Sequence, residues 1–287
     1  ENASTVGSFD LGIFETNDGS NQILSSLQDH KYELVFLLGQ DSLKFNKQNE
    51  FIQPGDMKKD LLNEFFQGEL RFRGKSDKPI IGFDGCADYP PLKLTGTILK
   101  NSVYKLFYSI LKTQFSSDPV IPYLIKRKEI LKKLSDQPEI ITKFTIRDSF
   151  APGTIGKNKN ARVEYVSNII NSDYTLCYRG AANYSLRLYE TLCLGRIPLF
   201  INTDCVLPFE NEIPWNDICL WVENSEMDHV GEKITDYHSS MNGNQFREKQ
   251  VQCRQVWEQY CTKEGFINHF YQFLNQQYSF QGMEASA

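Results

Sequence analysis

DYTLCYRGAANYSLRLYETLCLGRIPLFINTDCVLPF, residues 173–209, reads as strand, loop, helix and strand in succession. Tyr174–Tyr178 is a short apolar run of β-forming residues, and Tyr184–Leu194 follows a helical pattern that Gly195 stops, as glycine commonly does at helix ends. Ile197–Ile201 is then the next parallel strand. In open parallel sheets ligands bind beyond the carboxyl ends of the strands. That edge carries Arg179, Gly180, Asn183, Tyr184 and Ser185 after the first strand, and Asn202, Thr203 and Asp204 after the second.

Outward from this unit, short apolar runs alternate with longer helical patterns, the signature of a parallel α/β sheet. The pattern predicts further strands at Gly12–Phe14, Glu33–Leu38, Pro79–Phe83 and Ile218–Val222. It predicts helices near Asn21–Gln28, Asp56–Phe66, Ile98–Leu111, Lys126–Leu134, Arg162–Asn171, Gln245–Cys261 and Lys263–Gln276. The stretch after Phe150, APGTIGKNKN, gathers Pro, Gly, Lys and Asn without periodicity and reads as an exposed connection. The expected architecture is therefore two Rossmann-like α/β domains facing a cleft, residues 1–155 on the acceptor side and 156–287 on the donor side, with the last helices closing the second domain or crossing back to the first.

Bulk properties narrow the partners. A net charge of -5 argues against a broad nucleic-acid surface, which needs clustered Lys and Arg. No run approaches the ~18 apolar residues of a membrane span. The seven cysteines include no C-x-x-C pair and no histidine at ligand spacing, so no metal site is expected and buried free thiols are. No G-x-G-x-x-G follows a predicted strand, which disfavours a dinucleotide oxidoreductase.

The 173–209 unit suits a diphosphate for physical reasons. A helix N-terminus presents unpaired N–H groups and partial positive charge, Gly180 allows close backbone approach, and Arg179 and Arg187 can fork onto phosphate oxygens. Arg187 and Glu190 share a helix face, where the carboxylate is placed to accept from ribose hydroxyls; the plainer alternative is a solvated ion pair. The run Lys126-Arg127-Lys128 with Lys132 and Lys133 reads as a solvated helix face. The four histidines read as surface or packing residues, and Trp221 as core.

The same residues carry a resemblance. Arg179-Gly180, Ser185-Leu186-Arg187-Leu188-Tyr189-Glu190, Gly195-Arg196-Ile197-Pro198 and Leu207-Pro208-Phe209 resemble, in order and spacing, the donor-binding core of exostosin-family glycosyltransferases. The resemblance is closest over Asp173 to Trp221, weaker back to Lys126–Phe150, and rests in the first part of the chain on GFDG at Gly82–Gly85. It implies a fold of the GT-B type, a C-terminal domain that binds a nucleotide sugar, usually uridine-linked, no essential metal or other cofactor, an oligosaccharide or polysaccharide acceptor, and inversion at the anomeric carbon. Ala181, Ala182 and Tyr184 stand where the family's loop is richer in glycine and tryptophan.

An inverting transfer needs a general base at the acceptor hydroxyl and positive groups where charge develops on the departing diphosphate. Arg179, Arg187 and the helix N-terminus fill the second role. Asp84 is the first candidate for the base, because it follows an apolar strand at the cleft edge; Asp41, Asp88 and Asp148 are the others, and the alternative for Asp84 is a turn cap. Arg147 either reaches the donor from the interdomain side or pairs with a neighbouring carboxylate. Asn183-Tyr184-Ser185 is formally a glycosylation sequon inside the phosphate loop, so a glycan there would block the donor. A cytoplasmic location is expected on that ground, or the Golgi lumen if an N-terminal anchor has been removed. Competing readings are a nucleotide-sugar epimerase or hydrolase and a non-catalytic nucleotide- or carbohydrate-binding protein.

Overall fold

A computed structural model describes residues 35–43, 45–47, 50–87, 95–96, 98–100, 102–103, 106, 123–147, 160–180 and 183–279. The elements expected at Gly12–Phe14 and Asn21–Gln28, the connection at 150–159, and the candidates Asp88 and Asp148 lie outside these residues.

The protein is built on a parallel sheet of strands β3 (Ile80–Cys86), β4 (Ile141–Arg147), β5 (Tyr174–Cys177), β6 (Ile197–Asn202) and β7 (Leu220–Glu223), in the order β4-β3-β5-β6-β7. A second, two-stranded parallel sheet pairs β1 (Val35–Leu37) with β2 (Glu50–Ile52). The α/β class with parallel strands is as the sequence pattern predicts. The division expected at 155/156 is corrected by the pairing: β3 and β4, from the first half, hydrogen-bond into the same sheet as β5, β6 and β7. β5 is buried at every position and needs apolar neighbours on both edges, which β3 and β6 supply.

Helices α1 (Leu61–Phe66), α2 (Tyr123–Ser135), α3 (Ala161–Ile170), α4 (Leu186–Cys193), α5 (Trp215–Ile218), α6 (Val230–Ser239), α7 (Gly243–Val256) and α8 (Lys263–Ser279) follow local signals. Asp60 caps α1 by accepting from the N–H groups of Leu62 and Asn63, and Asn242 with Gln245 forms a capping box on α7. Gly195 takes φ +58° after α4, a left-handed position that glycine adopts without strain. Helices α3, α4 and α7 pack on strands of the large sheet, α4 and α7 also pack against each other, and α2 packs against α6. Among the described residues, no helix is long and apolar enough to cross a membrane.

The small sheet is fastened by aromatic packing. On α8, Phe266 and Phe270 set their rings 6.1 and 4.9 Å from Phe36, and 5.8 and 5.0 Å from Phe51. Phe209 of the Leu-Pro-Phe motif joins them, 5.5 Å from Phe51. The last helix thus crosses back onto β1 and β2, and the motif is the joint between the two sheets. At the opposite, amino edge, Asp173 is fully buried and accepts from Arg73 Nε at 2.7 Å and Ile80 N–H at 2.9 Å. Beside it, Tyr174 Oη lies 3.0 Å from Nδ1 of buried His238, whose Nε2 lies 2.7 Å from the Ser76 carbonyl.

Candidate functional site

The strand order reverses between β3 and β5: the chain leaves β3 for β4 on one side and returns to β5 on the other. In such sheets the carboxyl ends at the reversal form the ligand crevice. Here two arginines sit in it. Arg187, on the first turn of α4, donates from Nη2 to the Asp84 carbonyl at 2.7 Å and from Nη1 to the Leu176 carbonyl at 3.4 Å, with its guanidinium 4.4 Å from the Phe83 ring centroid. Arg127, from α2, donates from Nη1 to the Cys86 carbonyl at 2.7 Å and from Nη2 to those of Tyr178 and Arg179 at 3.1 and 2.5 Å. Both side chains therefore staple β3 to β5. Gly85 makes this possible, since a Cβ there would lie 2.7 Å from Arg187 Nη2.

Two roles expected at this edge change. Strand β3 runs on through Gly85 and Cys86, so Asp84 lies inside it, and its side chain is only 1% exposed. Arg147 stands opposite Cys86 in the β3–β4 register and grips both Asp84 carboxylate oxygens through Nε and Nη2. Asp84 is thus half of a buried ion pair, not a base open to an acceptor. Its bidentate hydrogen bonds hold the Arg147 guanidinium well above the usual arginine range, with Glu164 adding a contact at 3.0 Å. Arg147 takes the pairing alternative. Glu190 is also committed, accepting from Arg162 Nη1 at 2.9 Å and from the Tyr165 hydroxyl on α3. Asn202 donates to Glu223 at 2.8 Å on the neighbouring strand.

The remaining expected residues come together one strand over. A small pocket opens at the carboxyl ends of β5 and β6, lined among others by Arg179, Asn183, Tyr184, Ser185, Thr203 and Cys205. Asn183 is buried and exchanges side-chain hydrogen bonds with Thr203, accepting from its Oγ1 at 2.7 Å and donating to its carbonyl at 3.1 Å, which ties the two loops into one wall. A glycan on this amide would break that tie. Ser185 is the N-cap residue of α4, and its hydroxyl makes no capping bond. Among the described residues, an added Cβ at Gly180 meets nothing closer than Arg127 Nη2 at 3.8 Å, so their packing does not require glycine there.

The chain after β1 closes the pocket's far side. Ser42 N–H donates to the Asp204 carbonyl at 2.7 Å, Val206 N–H donates to the Gln40 carbonyl at 3.0 Å, and Asp41 forms an antiparallel bridge with Cys205. Burial pushes the Cys205 thiol up to about 12, so it stays protonated at neutral pH. Burial also lowers the Arg179 guanidinium from its usual range, an effect that Tyr123, Tyr178, Cys205 and Asp41 oppose. Arg127 does not stand out in the sequence, because its Lys neighbours make the helix face look solvated; it is 5% exposed, and its signal is the apolar Ile125, Ile130 and Leu131 around it.

Fold and edge together define a parallel α/β protein with an arginine-rich ligand edge, the class that includes sugar-nucleotide-dependent transferases. Residues 99–236 match the Exostosin GT47 domain. Among curated proteins it is similar to the "Probable beta-1,4-xylosyltransferase IRX10L" of Arabidopsis thaliana, 35% identical over 71 residues that make up 25% of this chain and 17% of that protein. It is equally similar to a "Probable glucuronosyltransferase" of Oryza sativa subsp. japonica, 35% identical over 71 residues, 25% of this chain and 16% of that protein. The chain thus matches about a sixth of these relatives' length. Of solved structures, TarM superposes at a TM-score of 0.38 with 11% identity, covering 90% of this chain and 54% of that one, a likeness too loose to carry weight.

Proposed function

We propose that this chain is the donor-binding part of a glycosyltransferase that moves a sugar from a uridine-diphosphate-linked donor to a carbohydrate acceptor, with inversion and without a metal ion. The observation that carries the reading is the pocket where Arg179, Tyr184 and Ser185 meet the N-terminus of α4 at the carboxyl edge of β5 and β6. The exostosin domain match supports it, and the xylosyl- and glucuronosyltransferase names of the relatives suggest a pentose or uronic acid as the sugar.

In this reading the diphosphate lies against the first turn of α4, where the helix dipole favours negative charge, and Arg179 offsets the charge that develops as the sugar departs. The base is drawn from the other wall. Asp41 stands at the rim, bridged to the pocket residue Cys205, and its Oδ1 accepts only from the exposed Leu43 N–H at 3.2 Å among its described contacts. An inverting step breaks the anomeric C–O bond to the diphosphate, forms the bond to the acceptor oxygen from the opposite face, and delivers the acceptor proton to this carboxylate.

The test is calorimetric titration of uridine diphosphate into the protein, followed by transfer assays with its xylose and glucuronic acid conjugates and xylan-type acceptors, with and without a chelator. Arg179→Ala is expected to weaken nucleotide binding at least about tenfold. Asp41→Asn is expected to keep nucleotide binding and lose turnover by about 10²–10⁴. Binding with no turnover on any acceptor would mean a binding protein, turnover indifferent to acceptor a hydrolase or epimerase, and no nucleotide binding the end of the reading.

A further inference from the structure

Arg179 is held from behind by a single helix. Its guanidinium lies 3.5 Å from the ring centroid of Tyr123, at the start of α2. One turn later on the same helix face, Arg127 takes the Arg179 carbonyl at 2.5 Å, together with the carbonyls of Tyr178 and Cys86. The side chain of Arg179 is thus set by Tyr123 and its backbone by Arg127. Tyr123 is itself buttressed, its ring 6.3 Å from that of Tyr178.

We propose that Tyr123 and Arg127 are positioning residues for nucleotide binding, fixing Arg179 at the pocket wall so that its guanidinium meets the donor phosphates without being ordered on binding. Neither lines the pocket, so each acts through Arg179. The inference deepens the function proposed above and rests on Arg179 being the phosphate-binding cation. An arginine side chain left mobile loses rotamer freedom when it grips a ligand, and a stacked one has already lost it, which is why a platform raises affinity. Arg127 suits the backbone role because its fork reaches two strands at once. Burial and the neighbouring Arg187 push its guanidinium down to about 10, which still leaves it charged at neutral pH.

The experiment is a double-mutant cycle read by uridine diphosphate affinity, with circular dichroism and melting temperature as folding controls. Tyr123→Ala is expected to weaken binding about tenfold, and Tyr123→Phe, which keeps the aromatic face, to stay within about twofold of the parent. Arg127→Lys keeps the charge but loses the fork, and an approximately threefold loss is expected. In the Arg179→Ala background both substitutions are expected to have no further effect, a coupling that general destabilisation of the fold would not produce. Should Tyr123→Ala fail to fold, Tyr123→Leu keeps most of the volume without the π face and carries the same expectation. Equal losses with and without Arg179, or no loss from Tyr123→Ala and Tyr123→Leu, would overturn the inference while leaving the donor site standing. Unchanged binding by Arg179→Ala alone would remove the donor reading, and the positioning role with it.

Discussion

Arg187 and Arg179 flank the same strand end, eight residues apart in one motif, yet their surroundings differ. At the β3–β5 crevice the guanidinium of Arg187 is taken up by carbonyls of both strands and the face of Phe83, while Asp84 below is sealed by Arg147. At the β5–β6 pocket, Arg179 is stacked on Tyr123 and lines an opening. A motif can therefore hold one arginine that builds the edge and another that lines an opening. The crevice is the structural half, and the pocket is the half to which the proposed donor is assigned.

The sharpest way to break this comparison is Asp84. Replacing it with Ala takes the bidentate partner from Arg147, whose side chain is 11% exposed, and leaves it the contact with the exposed Glu164. Removing one partner of a buried pair costs about 3–5 kcal/mol, so a large fall in the urea midpoint is expected, with nucleotide affinity of the folded protein unchanged. If instead Asp84→Asn keeps full stability and loses only turnover, Asp84 is the base after all and the two halves merge.

Arg187→Met comes next. It removes donors from two carbonyls at the ends of β3 and β5, for which about 2–4 kcal/mol of stability is expected to be lost, against about 1 kcal/mol for Arg179→Met, which gives up a stacking contact. Equal losses would mean that Arg179 also serves the fold. The glycines sharpen the same contrast on a smaller scale. Gly85→Ala places a methyl 2.7 Å from Arg187 Nη2 and is expected to cost about 1–3 kcal/mol, whereas Gly180→Ala, with its nearest neighbour at 3.8 Å, should leave the melting temperature nearly unchanged and weaken the nucleotide.

Much of the frame was legible in the sequence because its signals are local. Strands β3, β5 and β6 are apolar runs bounded by turn residues, and α4 ends at a glycine with φ +58°. Strand β4 escaped because ITKFTIR, an edge strand exposed along much of its length, carries Lys, Thr and Arg in place of a clean apolar run. Strand β2 has three residues, too few to show any period. Missing β4 misplaced the domain division, since only the pairing of β3 with β4 and β5 shows that one sheet spans 155/156. In the candidate site, Arg179, Asn183, Tyr184 and Ser185, which the sequence marks by their place after a strand and before a helix, line one pocket. The partners of Arg147, Glu190 and Asn202 were not legible in the sequence, because hydrogen bonds between residues far apart in sequence depend on strand order, which local pattern does not carry.

The amino edge offers the smallest effect and a control for both halves. Burial lowers the His238 imidazole from its ordinary 6.5, with Lys75 acting in the same direction, while the Ser76 carbonyl and Asp173 oppose it. Its Nδ1 faces the Tyr174 hydroxyl and its Nε2 the Ser76 carbonyl, an arrangement in which a neutral ring accepts at one nitrogen and donates at the other. A ring that protonates less readily when folded than when unfolded contributes stability in full above 6.5, and that contribution falls as the pH drops below this value and through the folded-state one. Urea midpoints from neutral pH down to about pH 5 are expected to decline, and His238→Gln, less stable at neutral pH, to decline less steeply over the same range. Nucleotide affinity of the folded protein should not follow this titration, because His238 sits at the end of β5 opposite the pocket. An affinity that tracks the His238 slope would couple the two edges and place the donor loop under control of the amino-edge network.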